Sequence, residues 1–133
     1  MGASAALLIV RALEQSVLVR LHRFATEIGL TALVETHSRD EIGRAVDAGA
    51  SVIGVNARDL DTFAIDTGKA WQLLALIPRA CIAIAESGMA SRTDVEEAAS
   101  AGADAVLIGS ALARTGDPIA LAHTLSEVTR RAR

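Results

Sequence analysis

Short apolar runs alternate with longer stretches of helical periodicity along this chain, and the alternation predicts its elements. Ala5–Val10 is an unbroken apolar run of strand length. From about Leu13 to Ile28, Val17, Leu18, Leu21, Phe24, Ala25 and Ile28 fall on one stripe at helical spacing, and Gly29 is placed to end that helix. Leu30–Thr36 reads as a second strand, closing on Glu35. Ser38 and Glu41 form an S-x-x-E capping box that opens a helix to about Ala48, with Gly49 behind it. Ser51–Asn56 is a third strand, feeding the charged loop Ala57–Phe63. Asp66 can cap a helix over Thr67–Leu76, which Pro78 closes. Cys81–Glu86 is the fourth strand, its small and branched side chains suiting burial on both faces. Ser91 and Asp94 start a helix running to Gly102, Ala105–Ile108 is the fifth strand, and Asp117-Pro118 opens a last helix to about Arg130.

Strands followed by helices, five times over, mean a parallel sheet with right-handed crossovers, either in a barrel or in an open doubly wound form. An internal echo supports the repeat: Ser38–Gly49 and Ser91–Gly102 share a capped start and an A-G-A finish before a strand, and each follows a strand ending in Glu. The chain has 133 residues, about one domain, and its 51% hydrophobic content includes only 2% aromatic residues. The core is therefore built from Ala, Val, Leu and Ile, which suits layered α/β packing.

A net charge of -3 argues against nucleic-acid binding, and the terminal Arg130-Arg131-Ala132-Arg133 reads as a solvated helix end. Cys81 is the single cysteine, so neither an internal disulfide nor a cysteine zinc site is available, and its place in a strand predicts an inert core thiol. His22, His37 and His123 have no spacing that suggests a metal site; His22 and His123 are expected on exposed helix surface, whereas His37 can approach the strand ends. Trp71 and Phe24 read as helix faces packed on the sheet. Without an apolar run of membrane-spanning length or a charged signal-peptide start, the expectation is a soluble, cytoplasmic protein.

The chemistry gathers where strands stop. Parallel α/β architectures deliver the C-terminal ends of their strands to one rim, where ligands bind. Here that rim would hold Glu35, Asn56, Arg58, Glu86, Ser87, Gly109 and Ser110. Two carboxylates, an amide and a guanidinium suit acid–base work on a polar substrate, and Arg58 can pair with a substrate carboxylate or with Asp59 or Asp61. Ser87-Gly88 and Gly109-Ser110 make an oxyanion cradle, since glycine admits a ligand close to the backbone and exposed N–H groups attract phosphate. Leu7 and Leu107 are strand residues that can line an apolar pocket floor or belong to plain core.

The motifs L-L-I-V, L-V-E-T-H, G-V-N-A-R-D-L, A-E-S-G and A-D-A-V-L-I-G-S follow one another in the order found in indole-3-glycerol-phosphate synthases, and the chain resembles that family over nearly its whole length. The resemblance implies a TIM barrel of tryptophan biosynthesis, a lyase that closes the indole ring of carboxyphenylamino-deoxyribulose phosphate with loss of carbon dioxide and water, using no metal or organic cofactor. It implies Glu35 as general base, Asn56 and Glu86 as polar catalytic partners, and Arg58 at the anthranilate end. Ser87, Gly88, Gly109 and Ser110 then form the phosphate site, with Leu7 and Leu107 beside the aromatic ring.

The likeness covers only strands four to eight of such a barrel. The family's general-acid lysine lies on the earlier strands, Lys69 is the only lysine here, and an arginine cannot replace it because its pKa stays above about 12. The expected fold is thus a single partial barrel of five strands over residues 1–133, or the same units re-closed into a flavodoxin-like open sheet. The expected function is the C-terminal part of the enzyme, incomplete alone; the alternative is a non-catalytic phosphate-binding, self-associating module. Either way the expected partners are a phosphorylated small molecule and, because sheet edges are left open, a second copy or the missing N-terminal half, with no nucleic acid and no membrane.

Overall fold

The computed structural model describes residues 2–131, so the last two residues of the arginine-rich tail lie outside the described residues. Five parallel strands, β1 (Ala5–Ile9), β2 (Thr31–Thr36), β3 (Val52–Asn56), β4 (Ile82–Glu86) and β5 (Ala105–Leu107), lie side by side in the order of the sequence. The intervening helices are α1 (Gln15–Glu27), α2 (Arg39–Asp47), α3 (Thr67–Leu74), α4 (Arg92–Ser100), α5 (Ser110–Arg114) and α6 (Pro118–Ser126). Sequential order with right-handed crossovers places the helices on one side of the sheet. A flavodoxin-like arrangement needs a reversal of strand order, which this sheet does not have; the fold is an open, partial barrel.

Burial follows the strand period of two. Ala32, Val34, Ile53, Val55, Ala83 and Ala85 point into the helical layer and are at most 6% exposed, forming the core with Leu18, Ile42, Leu74 and Val95 from the helices. The opposite face carries Leu7, Leu33, Ile82, Ile84 and Leu107. Among the described residues no helix covers it, and Leu7, Ile82 and Leu107 are each about half exposed. Among the described residues no helix is long and apolar enough to cross a membrane.

Local chemistry sets the helix starts. Ser91 accepts from Asp94 N–H while Asp94 returns to Ser91 N–H, a complete capping box; Asp66 and Asp117 cap α3 and α6 through Lys69 N–H and Ala120 N–H. Several ends differ from the periodicity. The run Ala5–Val10 breaks at Val10, which is fully buried in a 3-10 turn, so α1 begins at Gln15 rather than Leu13. The last helix stops at Ser126, short of Arg130. On α1 the helical stripe is wider than the surface it covers: Leu18 and Ala25 are buried, but Phe24 and Ile28 are more than half exposed. Trp71 is half-buried against the core, as its helix-face reading required. His123 is exposed beside Glu127, whereas His22 is half-buried.

Candidate active site

The register explains how the rim is assembled. Glu35 pairs with Gly54 on β3, which pairs with Ile84 on β4; Asn56 pairs with Glu86, which pairs with Leu107 on β5. Glu35, Asn56, Glu86 and Leu107 therefore share the face without helices, at the strand ends. A cavity of about 460 Å3 opens there, lined by Leu7, Glu35, Asn56, Arg58, Glu86, Ser87, Gly88, Gly109 and Ser110, together with Leu107. Every site residue singled out from sequence borders this one space. Met89 and Ile108, not anticipated from sequence, complete the wall, and Met89 is 4% exposed beneath the Ser87-Gly88 turn.

At the centre are two buried carboxyl groups. Glu35 is 4% and Glu86 3% exposed, and their side chains are hydrogen bonded to one another. Burial, then the charge of Glu35, then that hydrogen bond push the Glu86 carboxyl from its ordinary 4.5 up to about 8. Two carboxylates this close in a water-poor site oppose each other's ionisation, so Glu86 holds a proton at neutral pH. Gly54 makes the contact possible: a Cβ there would sit 1.7 Å from Glu86 Oε1, so the Glu86 chain lies across β3 where a side chain would otherwise stand. A glycine inside a strand pattern is the sequence signal for such close approach.

Asn56 Oδ1 accepts from Arg58 N–H at 2.9 Å, fixing the loop that follows β3. The Arg58 guanidinium donates to the Phe63 carbonyl at 3.3 Å and, among the described residues, pairs with neither Asp59 nor Asp61. Asp59 instead accepts from Asp61 N–H and from Thr62, which hold its carboxyl below the usual range, and Asp61 pairs with Arg11 at 2.6 Å. Arg58 is half-buried and available to an anionic ligand. After β4 the chain turns through left-handed conformations at Ser87 (φ 64°) and Gly88 (φ 77°). A side chain at Gly88 would strike Thr67 and Ile65 at under 3.0 Å, so this turn has no room for one. Gly109 is the opposite case: it borders the cavity, and nothing lies within 4 Å of its would-be Cβ. Gly109 also opens α5, a short helix that the sequence pattern did not mark. Cys81 is half-buried just before β4, its Sγ 3.4 Å from the Ala50 carbonyl, away from the cavity. Among the described residues no three His, Cys, Asp or Glu side chains are grouped to hold a metal ion.

The family profile of indole-3-glycerol phosphate synthase matches residues 1–125. The chain belongs to the indole-3-glycerol phosphate synthase family. It is 50% identical over 117 residues to the synthase of Kineococcus radiotolerans, covering 88% of this chain and 43% of that protein. To that of Leifsonia xyli it is 49% identical over 126 residues, covering 95% and 47%. The Mycobacterium tuberculosis synthase is 50% identical over 117 residues, again with 88% and 43% covered. The chain thus spans less than half the length of these curated relatives. Among solved structures, the fold is shared with 3-hexulose-6-phosphate synthase from Salmonella typhimurium at a TM-score of 0.79 and 21% identity, over 95% of this chain and 61% of that one. Thiamine phosphate pyrophosphorylase from Pyrococcus furiosus follows at 0.74 and 17%, over 94% and 58%. At such identities the likeness is one of fold alone.

Proposed function

We propose that this chain supplies the phosphate-gripping, base-bearing part of an indole-3-glycerol phosphate synthase active site. One observation carries the reading: the two hydrogen-bonded carboxyls, the Asn56–Arg58 loop and both Ser/Gly steps border a single cavity at the strand ends. In this reading Ser87, Gly88, Gly109 and Ser110 receive the phosphate, and Arg58 receives the carboxylate of the anthranilate end. Leu7 and Leu107, half exposed on the cavity floor, meet the aromatic ring. Glu35 takes the proton lost as the ring closes, while protonated Glu86 and Asn56 hold the reacting hydroxyls. The general acid must come from elsewhere. Lys69 is the only lysine and borders a separate cavity on α3, so turnover needs the rest of the barrel, on the same polypeptide or another.

The test is complementation. Purified chain mixed with a polypeptide carrying the N-terminal strands of a relative should form indole-glycerol phosphate, and Glu35→Gln should abolish that activity. Turnover by the chain alone near a full enzyme's rate would overturn the claim of incompleteness. Phosphate binding without rescue would favour the non-catalytic, self-associating module, which the open sheet edges at β1 and β5 also suit.

A further inference from the structure

The Ser38–Glu41 capping box is only half made, and the missing half leads to His37. Ser38 Oγ accepts from Glu41 N–H at 3.2 Å, as the pattern requires. Glu41, however, does not return to Ser38. Its Oε2 accepts from the His37 backbone N–H at 2.7 Å and lies 3.5 Å from His37 Nδ1. The other ring nitrogen, Nε2, is 3.5 Å from Glu35 Oε1. The imidazole, with a side chain only 12% exposed, is thus sandwiched between two carboxylates. His37 Nδ1, His37 Nε2 and Glu35 Oε1 have no other polar partner among the described residues. A buried imidazole must place its protons on acceptors, and only these two are offered.

We propose that His37, held by Glu41, is a positioning residue that keeps the negative charge of the carboxyl pair on Glu35 and the proton on Glu86. The sequence Glu41, His37, Glu35, Glu86 runs from the start of α2 to the end of β4. In the imidazolium form both ring nitrogens donate, Nδ1 toward Glu41 and Nε2 toward Glu35, which favours a carboxylate on Glu35, and among the described residues no basic side chain lies within ion-pair distance of Glu86. The asymmetry of the pair follows. Glu41 is the member tied to the surroundings: burial works to raise it, yet the His37 ring and backbone N–H, with Arg11 beyond, bring it below the usual carboxylate range. Asp59, Asp66 and Lys69 border the neighbouring cavity on which His37 also opens, and complete the charged groups around the ring. The assignment deepens the proposed function, since it decides which carboxyl is free to act as base.

The experiment is a carboxyl NMR titration of the 13C-labelled chain, with no substrate and no added strands. In the unaltered chain at neutral pH, Glu86 should read as the acid and Glu35 as the carboxylate. His37→Phe keeps a ring but no N–H; the proton should then spread onto Glu35 and the Glu86 midpoint fall by about one unit. His37→Gln, which still offers an N–H, should restore the original distribution. Glu41→Gln, which keeps the size of this half-buried side chain, should move the pair in the same direction as His37→Phe. A pair unmoved by both His37→Phe and Glu41→Gln, or a proton found on Glu35 in the unaltered chain, would overturn the assignment; if His37→Phe does not fold, Glu41→Gln decides. Failed complementation would instead sink the proposed function while leaving these signals readable.

Discussion

Gly54 has no side chain, and the Glu86 carboxyl occupies the space one would fill. Gly54→Ala places a methyl 1.7 Å from Glu86 Oε1 and 2.8 Å from its Cδ, so Glu86 must leave Glu35. The expected result is a Glu86 titration moved back toward 4.5 and a loss of about 1–3 kcal/mol in urea unfolding. The same group fixes the pH dependence of stability. Because Glu86 binds its proton more tightly folded than unfolded, its contribution is full below about pH 4.5 and is lost as the pH rises through about 8. Unfolding measured across that window should show stability falling, and Glu86→Gln should flatten the slope. At Gly109 a side chain meets no protein atom, so Gly109→Val should fold normally and weaken phosphate binding by about tenfold or more, read by calorimetry. Unchanged affinity would place phosphate elsewhere.

Among the elements, α4 and α2 begin with the same pattern and use it differently. On α4 the short Asp94 side chain reaches Ala90 and Ser91 N–H, at 2.9 and 2.8 Å, which holds its carboxyl below the usual range and completes the cap. On α2 Glu41 bonds the residue before the cap, His37 N–H, and not the cap residue itself. Ser91→Ala should therefore cost about 1 kcal/mol in thermal or urea unfolding and leave the site intact. The spacing S-x-x-[DE] was legible in both places, because a cap depends on neighbours along the chain. Its diversion toward His37 was not, since that depends on β2 delivering Glu35 alongside.

At the scale of the molecule, a sheet with helices on one side leaves its other face half bare. Leu7 and Leu107, at 49% and 51% exposed, sit on that face beside the cavity. If the rest of a barrel covers it, Leu7→Lys or Leu107→Lys should weaken complementation by about tenfold, equivalent to about 1.4 kcal/mol, without destabilising the chain itself. Measured association that ignores both charges would locate the contact at the sheet edges instead.

Hydrophobic period and turn residues by themselves determined the five strands, the helices between them and the residues at each strand's end, since these depend on spacing a few positions apart. That was enough to gather Glu35, Asn56, Arg58, Glu86 and both Ser/Gly steps on one rim, because parallel strands leave no other place for their final residues. Only the tertiary structure decided which of these groups meet. Contact between Glu35 and Glu86 requires the bare backbone of Gly54 between them, and the partners of His37 come from a helix and a strand brought together by packing; both depend on distances across the sheet, which no periodicity along the chain encodes.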